Sequence, residues 1–271
     1  MSVVADTVGV MRIATWNVNS IRARVDRVTS WLERNDVDVL AMQETKCKDA
    51  QFPHLPFEAI GYEVAHTGLS QWNGVAVVSR VGIEDVETAF EAQPGWGEQL
   101  ATEARALGAT CGGVRVWSLY VPNGRTIVDP HYAYKLEWLA ALRASAASWI
   151  ASGTPTMLLG DWNIAPLDED VWDREFFEGS THVTAPEREA LAAIEATGFT
   201  ELTRSYTPGE YTYWDYTQLR FPKRQGMRID LALGSPEVTA RVTGARIDRE
   251  ERKGKGASDH APVVVELADP A

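Results

Sequence analysis

Seven stretches of the chain are apolar enough to read as strands: 11–16, 37–42, 74–79, 114–121, 156–160, 228–233 and 261–267. Several are continuous apolar runs, the pattern of strands covered on both faces. Helical spacing fills the gaps. Residues 21–34 place Ile21, Val25, Val28, Trp31 and Leu32 on one face, with Arg22, Arg24 and Arg27 elsewhere. Residues 130–151 carry the longest helical pattern, opened by Asp129-Pro130, an N-cap followed by proline at the first helical position. Residues 186–197 repeat the device with Pro186 and close at Gly198. The interleaving predicts one α/β domain over residues 11–268, preceded by a flexible leader at 1–10 and followed by a tail at 269–271. Interleaving alone suggests a parallel sheet, whereas the clustered strands also fit a two-sheet core; the pattern leaves both open.

The polar residues add the next layer. Six short motifs end or interrupt apolar runs: Trp16-Asn17-Val18-Asn19, Gln43-Glu44-Thr45-Lys46, Tyr120-Val121-Pro122-Asn123, Gly160-Asp161-Trp162-Asn163, Arg228-Ile229-Asp230 and Ser258-Asp259-His260. Carboxylates and amides at strand ends are poor core residues but good ligands. Glu44 suits a hard divalent cation, which prefers oxygen donors. Asn17 and Asn19, two apart, face one way if the segment stays extended, or close an Asx turn if it does not. Asp161 and Asn163 repeat that spacing; the carboxylate can take a proton from an attacking water and the amide can hold a phosphate oxygen. Asp230 is a lone charge inside an apolar run and needs a partner. His260 is the expected one, since a carboxylate keeps an imidazole protonated and oriented. Tyr120 can donate its hydroxyl to a phosphate, with Asn123 contacting the backbone nearby.

Composition narrows the partners. The chain has 271 residues, 45% of them hydrophobic, enough for a substantial core. No stretch reads as a membrane span or a signal peptide. Cys47 and Cys111 form neither a disulfide framework nor a metal knuckle, and a cytoplasmic location is expected. The net charge of −12 argues against nucleic acid when taken alone. The charge is uneven, however. Residues 161–178 hold seven acids against Arg174, while 220–228 hold Arg220, Lys223, Arg224 and Arg228 with no acid. The aromatic run Tyr211-Thr-Tyr213-Trp214-Asp-Tyr216 precedes that basic stretch, a pairing suited to stacking against nucleotides. Lys46, Lys48, Lys253 and Lys255 can add phosphate contacts.

The motifs in this order resemble those of the exonuclease III and AP endonuclease family, over about residues 11–267. Gln43-Glu44-Thr45-Lys46, Asn73-Gly74-Val75-Ala76, Gly160-Asp161-Trp162-Asn163 and Ser258-Asp259-His260-Ala261-Pro262 favour that branch, and Pro186-Glu187-Arg188 also looks like a family segment. The resemblance implies a four-layer α/β/β/α sandwich with two mixed sheets face to face. It implies hydrolysis of duplex DNA 5′ to abasic sites, with exonuclease and end-cleaning work on 3′ ends, using Mg²⁺ or Mn²⁺; a monomer is expected. By motif match, Glu44 is the principal metal ligand with Asn17 and Asn19 close by and Asp259 serving the metal. Asp161 activates the water, Asn163 assists, Tyr120 and His260 bind the scissile phosphate and Asp230 orients His260. Tyr213, Met227 and Ile229 match the abasic-sugar pocket. Asn19 replaces an Asp found in part of the family, and Met227 stands where some relatives carry a larger aromatic. Two other readings fit the scaffold: a small-phosphodiester hydrolase or phosphatase, and a non-catalytic nucleic-acid-binding regulator.

Overall fold

The computed structural model describes residues 9–270, so residues 1–8 of the expected leader lie outside the described residues. In chain order the strands are β1 (Val10–Asn17), β2 (Val39–Gln43), β3 (Glu63–Thr67), β4 (Val75–Ser79), β5 (Glu84–Glu87), β6 (Ala106–Cys111), β7 (Val114–Tyr120), β8 (Thr156–Asp161), β9 (Thr200–Glu201), β10 (Asp230–Gly234), β11 (Val242–Ile247) and β12 (Val263–Ala268). The α-helices are α1 (Val25–Asn35), α2 (His54–Glu58), α3 (Pro130–Ser152), α4 (Ala185–Glu195) and α5 (Pro236–Thr239).

The strands form two six-stranded sheets, ordered β11-β12-β1-β2-β4-β3 and β5-β6-β7-β8-β10-β9. Each contains one parallel pair, β1 with β2 and β7 with β8; the other neighbours run antiparallel. The parallel-sheet alternative is thereby replaced by two mixed sheets. Side chains alternate across each strand. Ile13, Val39, Ala41 and Val77 of the first sheet meet Val116, Met157, Leu159 and Ala232 of the second in a shared inner core. Ala14, Trp16, Leu40 and Met42 point outward, under Val28, Trp31 and Leu32 of α1 and Phe57 of α2. On the other flank Trp117, Leu119, Leu158 and Leu231 lie under Trp138, Leu139 and Leu142 of α3 and Leu191 of α4. Burial on both faces is what made these runs continuous in the sequence. Truncating a fully buried Trp such as Trp31 would cost about 3–5 kcal/mol.

The seven expected strands are all present. The 228–233 run starts at Asp230, because the Ile229 and Asp230 amides both bond Thr212 Oγ1 at 3.1 Å. The last run starts at Val263, after Pro262, which has no amide to donate. The strands not anticipated are β3, β5, β6, β9 and β11. Four of them, β3, β5, β9 and β11, are sheet edges, half exposed or polar, with no apolar run to show. Helix α3 begins as expected, with Asp129 Oδ1 accepting from the His131 amide at 2.8 Å. Helix α4 opens one residue earlier than the proline suggests, through a capping box between Thr184 and Glu187.

Candidate active site

The parallel pairs bring the ends of β1, β2, β7 and β8 to one rim of the sandwich. Asn17, Glu44, Tyr120 and Asp161 lie at those ends. Strand β10 enters antiparallel to β8, so Asp230 stands directly across from Asp161, and Tyr120 flanks Asp161 on the other side. Gly160 allows this approach: a Cβ there would lie 1.9 Å from the Leu119 carbonyl oxygen. His260 arrives from the turn before β12. Ser258 Oγ fixes that turn by donating to the Asn17 carbonyl at 2.7 Å and accepting from the His260 amide at 3.2 Å.

Glu44, Tyr120, Asp161 and His260 line a cavity of about 170 Å³ together with Asn123, Asn163, His182, Tyr213, Met227, Ile229 and Asp259. His260 Nδ1 lies 2.8 Å from Asp230 Oδ2, and Nε2 lies 3.9 Å from Asp161 Oδ2. Burial alone would lower the imidazole pKa, but Asp230 first, then Asp161 and Asp259, outweigh it and hold it up to about 10. Asp161 is pushed up to about 7 by burial, reinforced by Asp230 and Glu44 and opposed by His260. Burial raises the Tyr120 phenol well above its usual value, and the Glu44 and Asp161 carboxylates add to that. The Arg105 guanidinium packs 4.8 Å from the Tyr120 ring centroid.

Asn17 and Asn19 do not project from an extended segment. Asn19 adopts φ +43° and its amide donates to Asn17 Oδ1 at 3.0 Å. Asn163 repeats the arrangement at φ +51°, donating its amide to Asp161 Oδ1 at 3.0 Å. Both spacings therefore close as Asx turns, which pin the ligand-bearing side chain to the next turn of chain. Asn17 Nδ2 donates to Glu44 Oε1 at 2.8 Å and to Asp161 Oδ2 at 3.0 Å. Asn17 thus bridges the two carboxylates with its amide N–H groups, and its oxygen is turned away from them. Asn19 Nδ2 donates to Asp259 Oδ1 at 2.9 Å and Asn19 Oδ1 accepts from Lys46 Nζ at 2.5 Å.

Glu44 occupies left-handed backbone at φ +52°, a conformation that costs a non-glycine residue roughly 1–2 kcal/mol. Its Oε2 lies 2.7 Å from Lys46 Nζ. Burial would raise the Glu44 carboxyl, but Lys46 and Asn17 outweigh it and hold it below its ordinary value. The ligand atoms of Glu44, Asp161 and His260 lie within 4.8 Å of one another. Two carboxylates fit a hard divalent cation, and the Lys46 ammonium on Glu44 shows that the position accepts positive charge. His260 Nδ1 is committed to Asp230, and its raised pKa favours the imidazolium, which suits it to donate a hydrogen bond at this centre.

Several expected contacts fall elsewhere. Arg228 is 1% exposed and donates to the Thr207 carbonyl and Thr203 Oγ1, so it cannot reach DNA. Trp214 is 2% exposed and packs on Phe221, Ile247, Ala261 and Val263. It supports the aromatic segment from within and presents no free ring. Tyr213, Met227 and Ile229 do line the cavity, and Arg224 remains exposed. His182 went unnoticed in the sequence. Its Nε2 is 3.0 Å from Asn163 Oδ1, and burial, with the Lys135 charge adding to it, lowers its pKa to about 4, leaving it neutral. It sits in a loop without periodicity, and its only sequence signal is the adjoining Pro186-Glu187-Arg188 segment.

Comparison with known proteins adds four findings. The model described as the Endonuclease/Exonuclease/phosphatase family matches residues 14–260. The chain is 26% identical over 267 residues to exodeoxyribonuclease III of Haemophilus influenzae, covering 95% of this chain and 100% of that protein. Among solved structures, the 3′ phosphatase NExo from Neisseria bound to a product DNA hairpin matches with TM-score 0.89 at 35% identity, over 95% of this chain and 99% of that one. An AP endonuclease from Archaeoglobus fulgidus matches with TM-score 0.88 at 33% identity, over 96% and 100%.

Proposed function

This chain belongs to the endonuclease/exonuclease/phosphatase family, and on that premise we propose that it is a DNA-repair nuclease that hydrolyses phosphodiesters 5′ to abasic sites. It also degrades and cleans 3′ ends. The observation that carries this reading is the pairing of Asp161 and His260 across the two sheets, in one cavity with Glu44. Asp161, with its pKa raised to about 7, is a base for the attacking water at neutral pH. His260 presents Nε2–H to a phosphoryl oxygen while Nδ1–H is held by Asp230. The Tyr120 hydroxyl, kept protonated, is a second donor to that phosphate. Glu44, with Asp161 beside it, would hold Mg²⁺ or Mn²⁺, which when bound supplies electrostatic stabilisation at the phosphoryl oxygens.

Tyr213, Met227 and Ile229 give the cavity an apolar wall for a sugar. A neighbouring cleft of about 400 Å³ shares Tyr120 and Asn123 and adds Trp72, Trp96 and Arg125, a surface suited to a nucleic-acid strand. The chain acts as a monomer in the cytoplasm, a placement supported by two buried, unpaired cysteines. A second reading weights removal of 3′ phosphates above internal incision. It is favoured by the 35% identity to a 3′ phosphatase and by the small cavity.

The test uses end-labelled duplexes, one abasic, one with a recessed 3′ hydroxyl and one with a 3′ phosphate, each with Mg²⁺, Mn²⁺ or EDTA. Cleavage in either metal that stops in EDTA and in Asp161→Asn supports the reading. Full activity in excess EDTA would sink it.

A further inference from the structure

Lys135 is the one charged residue on the buried face of α3 formed by His131, Tyr134, Trp138, Leu139 and Leu142. Its side chain and that of Glu187 on α4 are both 0% exposed. Burying a lysine there is unfavourable unless all three of its protons find acceptors. They do. Nζ donates to Glu187 Oε1 at 2.5 Å, to the Asn163 carbonyl at 2.7 Å and to the Asn123 carbonyl at 3.4 Å. Glu187 is equally saturated. Oε1 also accepts from the His182 amide at 3.0 Å, and Oε2 accepts from the Thr184 amide and hydroxyl at 3.2 and 2.5 Å.

We infer that Lys135 and Glu187 are a positioning pair for the phosphate site. Asn123, Asn163 and His182 lie on three separate loops, after β7, after β8 and before α4, and all three line the cavity. The ammonium holds the backbone of the first two loops and the carboxylate holds the third. With those backbones fixed, the Asn163 side chain is clamped: Oδ1 lies 3.1 Å from Asn123 Nδ2 and 3.0 Å from His182 Nε2, while Nδ2 donates to the Val121 carbonyl at 2.9 Å. Neither Lys135 nor Glu187 lines the cavity, so both act only through these loops. The inference rests on the hydrolytic reading above.

A buried ion pair can often be replaced by apolar residues of similar volume without loss of stability, whereas removing one partner strands a charge. That separates a positioning role from a merely structural one. Lys135→Met alone is expected to lower both melting temperature and kcat. The double variant Lys135→Met/Glu187→Leu is expected to regain the melting temperature but remain roughly 100-fold low in kcat, because loop misplacement of about 1 Å has that effect. Its KM for DNA is expected to change far less than kcat, by a few-fold at most, since Asn123 is the one residue of the strand cleft whose backbone the pair holds. If the double variant folds with wild-type kcat, the pair only stabilises the fold and the inference is overturned. If it does not fold, Thr184→Val, which removes the hydroxyl contact to Glu187 and weakens the α4 cap, is expected to lower kcat when assayed well below its modestly reduced melting temperature; unchanged kcat there overturns the inference. Wild-type enzyme that cleaves none of the duplexes would instead refute the hydrolytic reading.

Discussion

Asp230 faces Asp161 directly across the antiparallel pair β8 and β10, two buried carboxylates in opposing register. Like charges placed so are destabilising, and the His260 imidazolium between them resolves the conflict: 2.8 Å from one and 3.9 Å from the other. Replacing Asp230 by Asn removes the main partner of His260 and leaves burial, which lowers the imidazole pKa, to dominate. His260 is then expected to titrate far below about 10. Turnover at pH 8 should fall roughly 100- to 1,000-fold, as for removal of one preorganised donor. Imidazole ¹⁵N shifts followed against pH, with single-turnover rates alongside, check both parts.

The pH dependence follows from the same pair. Cleavage needs Asp161 ionised and His260 protonated, so the rate should rise through a pKa of about 7 and fall through about 10. A cation on Glu44 favours the Asp161 carboxylate and moves the rising limb below 7. Stability has its own signs. His260 is raised above its unfolded value, so its contribution is complete below about 6.5 and is lost as pH climbs through about 10. Asp161 is also raised, so stability falls between 3.8 and about 7 as the buried carboxyl ionises. Denaturant midpoints across this range test the two slopes.

Lys46 Nζ lies 2.7 Å from Glu44 Oε2, so a cation held by Glu44 would have to displace it. Lys46→Met should strengthen Mn²⁺ binding by roughly 3- to 10-fold, the equivalent of a partly exposed ion pair near 1 kcal/mol. Titration calorimetry in low salt measures this, and weaker binding would show that the lysine assists the site.

Gly160 carries the close approach between β7 and β8. Gly160→Ala places its methyl 1.9 Å from a backbone oxygen that cannot move without separating the two strands. A stability loss of at least about 3 kcal/mol is expected, at the upper end for overpacking. Thermal unfolding is the check, and activity should fail with the fold.

The centre of this molecule was legible because it is extreme. Strands such as β2 and β8 are buried on both faces and read as unbroken apolar runs, and Asp230 stood out as a charge within one of them. The edges were not legible. Strand β5 is Glu-Asp-Val-Glu, exposed throughout, and only pairing with β6 makes it a strand. The two-residue spacings left an extended segment and an Asx turn open, and the left-handed backbone at Asn19 and Asn163 settles both as turns. Arg228 looked like a DNA contact in a basic stretch, yet the chain turns it inward to Thr203 and Thr207. Lys135 had a signal that went unread: a lone cation on the apolar face of α3.

The central claim is that Asp161 and His260 act as one unit on one phosphate. The most direct measurement is a double-mutant cycle on single-turnover cleavage of an abasic duplex with Asp161→Asn, His260→Asn and both together. The account predicts that the double variant is about as slow as the slower single variant, because each change alone disables the shared step. Losses that simply multiply would contradict it.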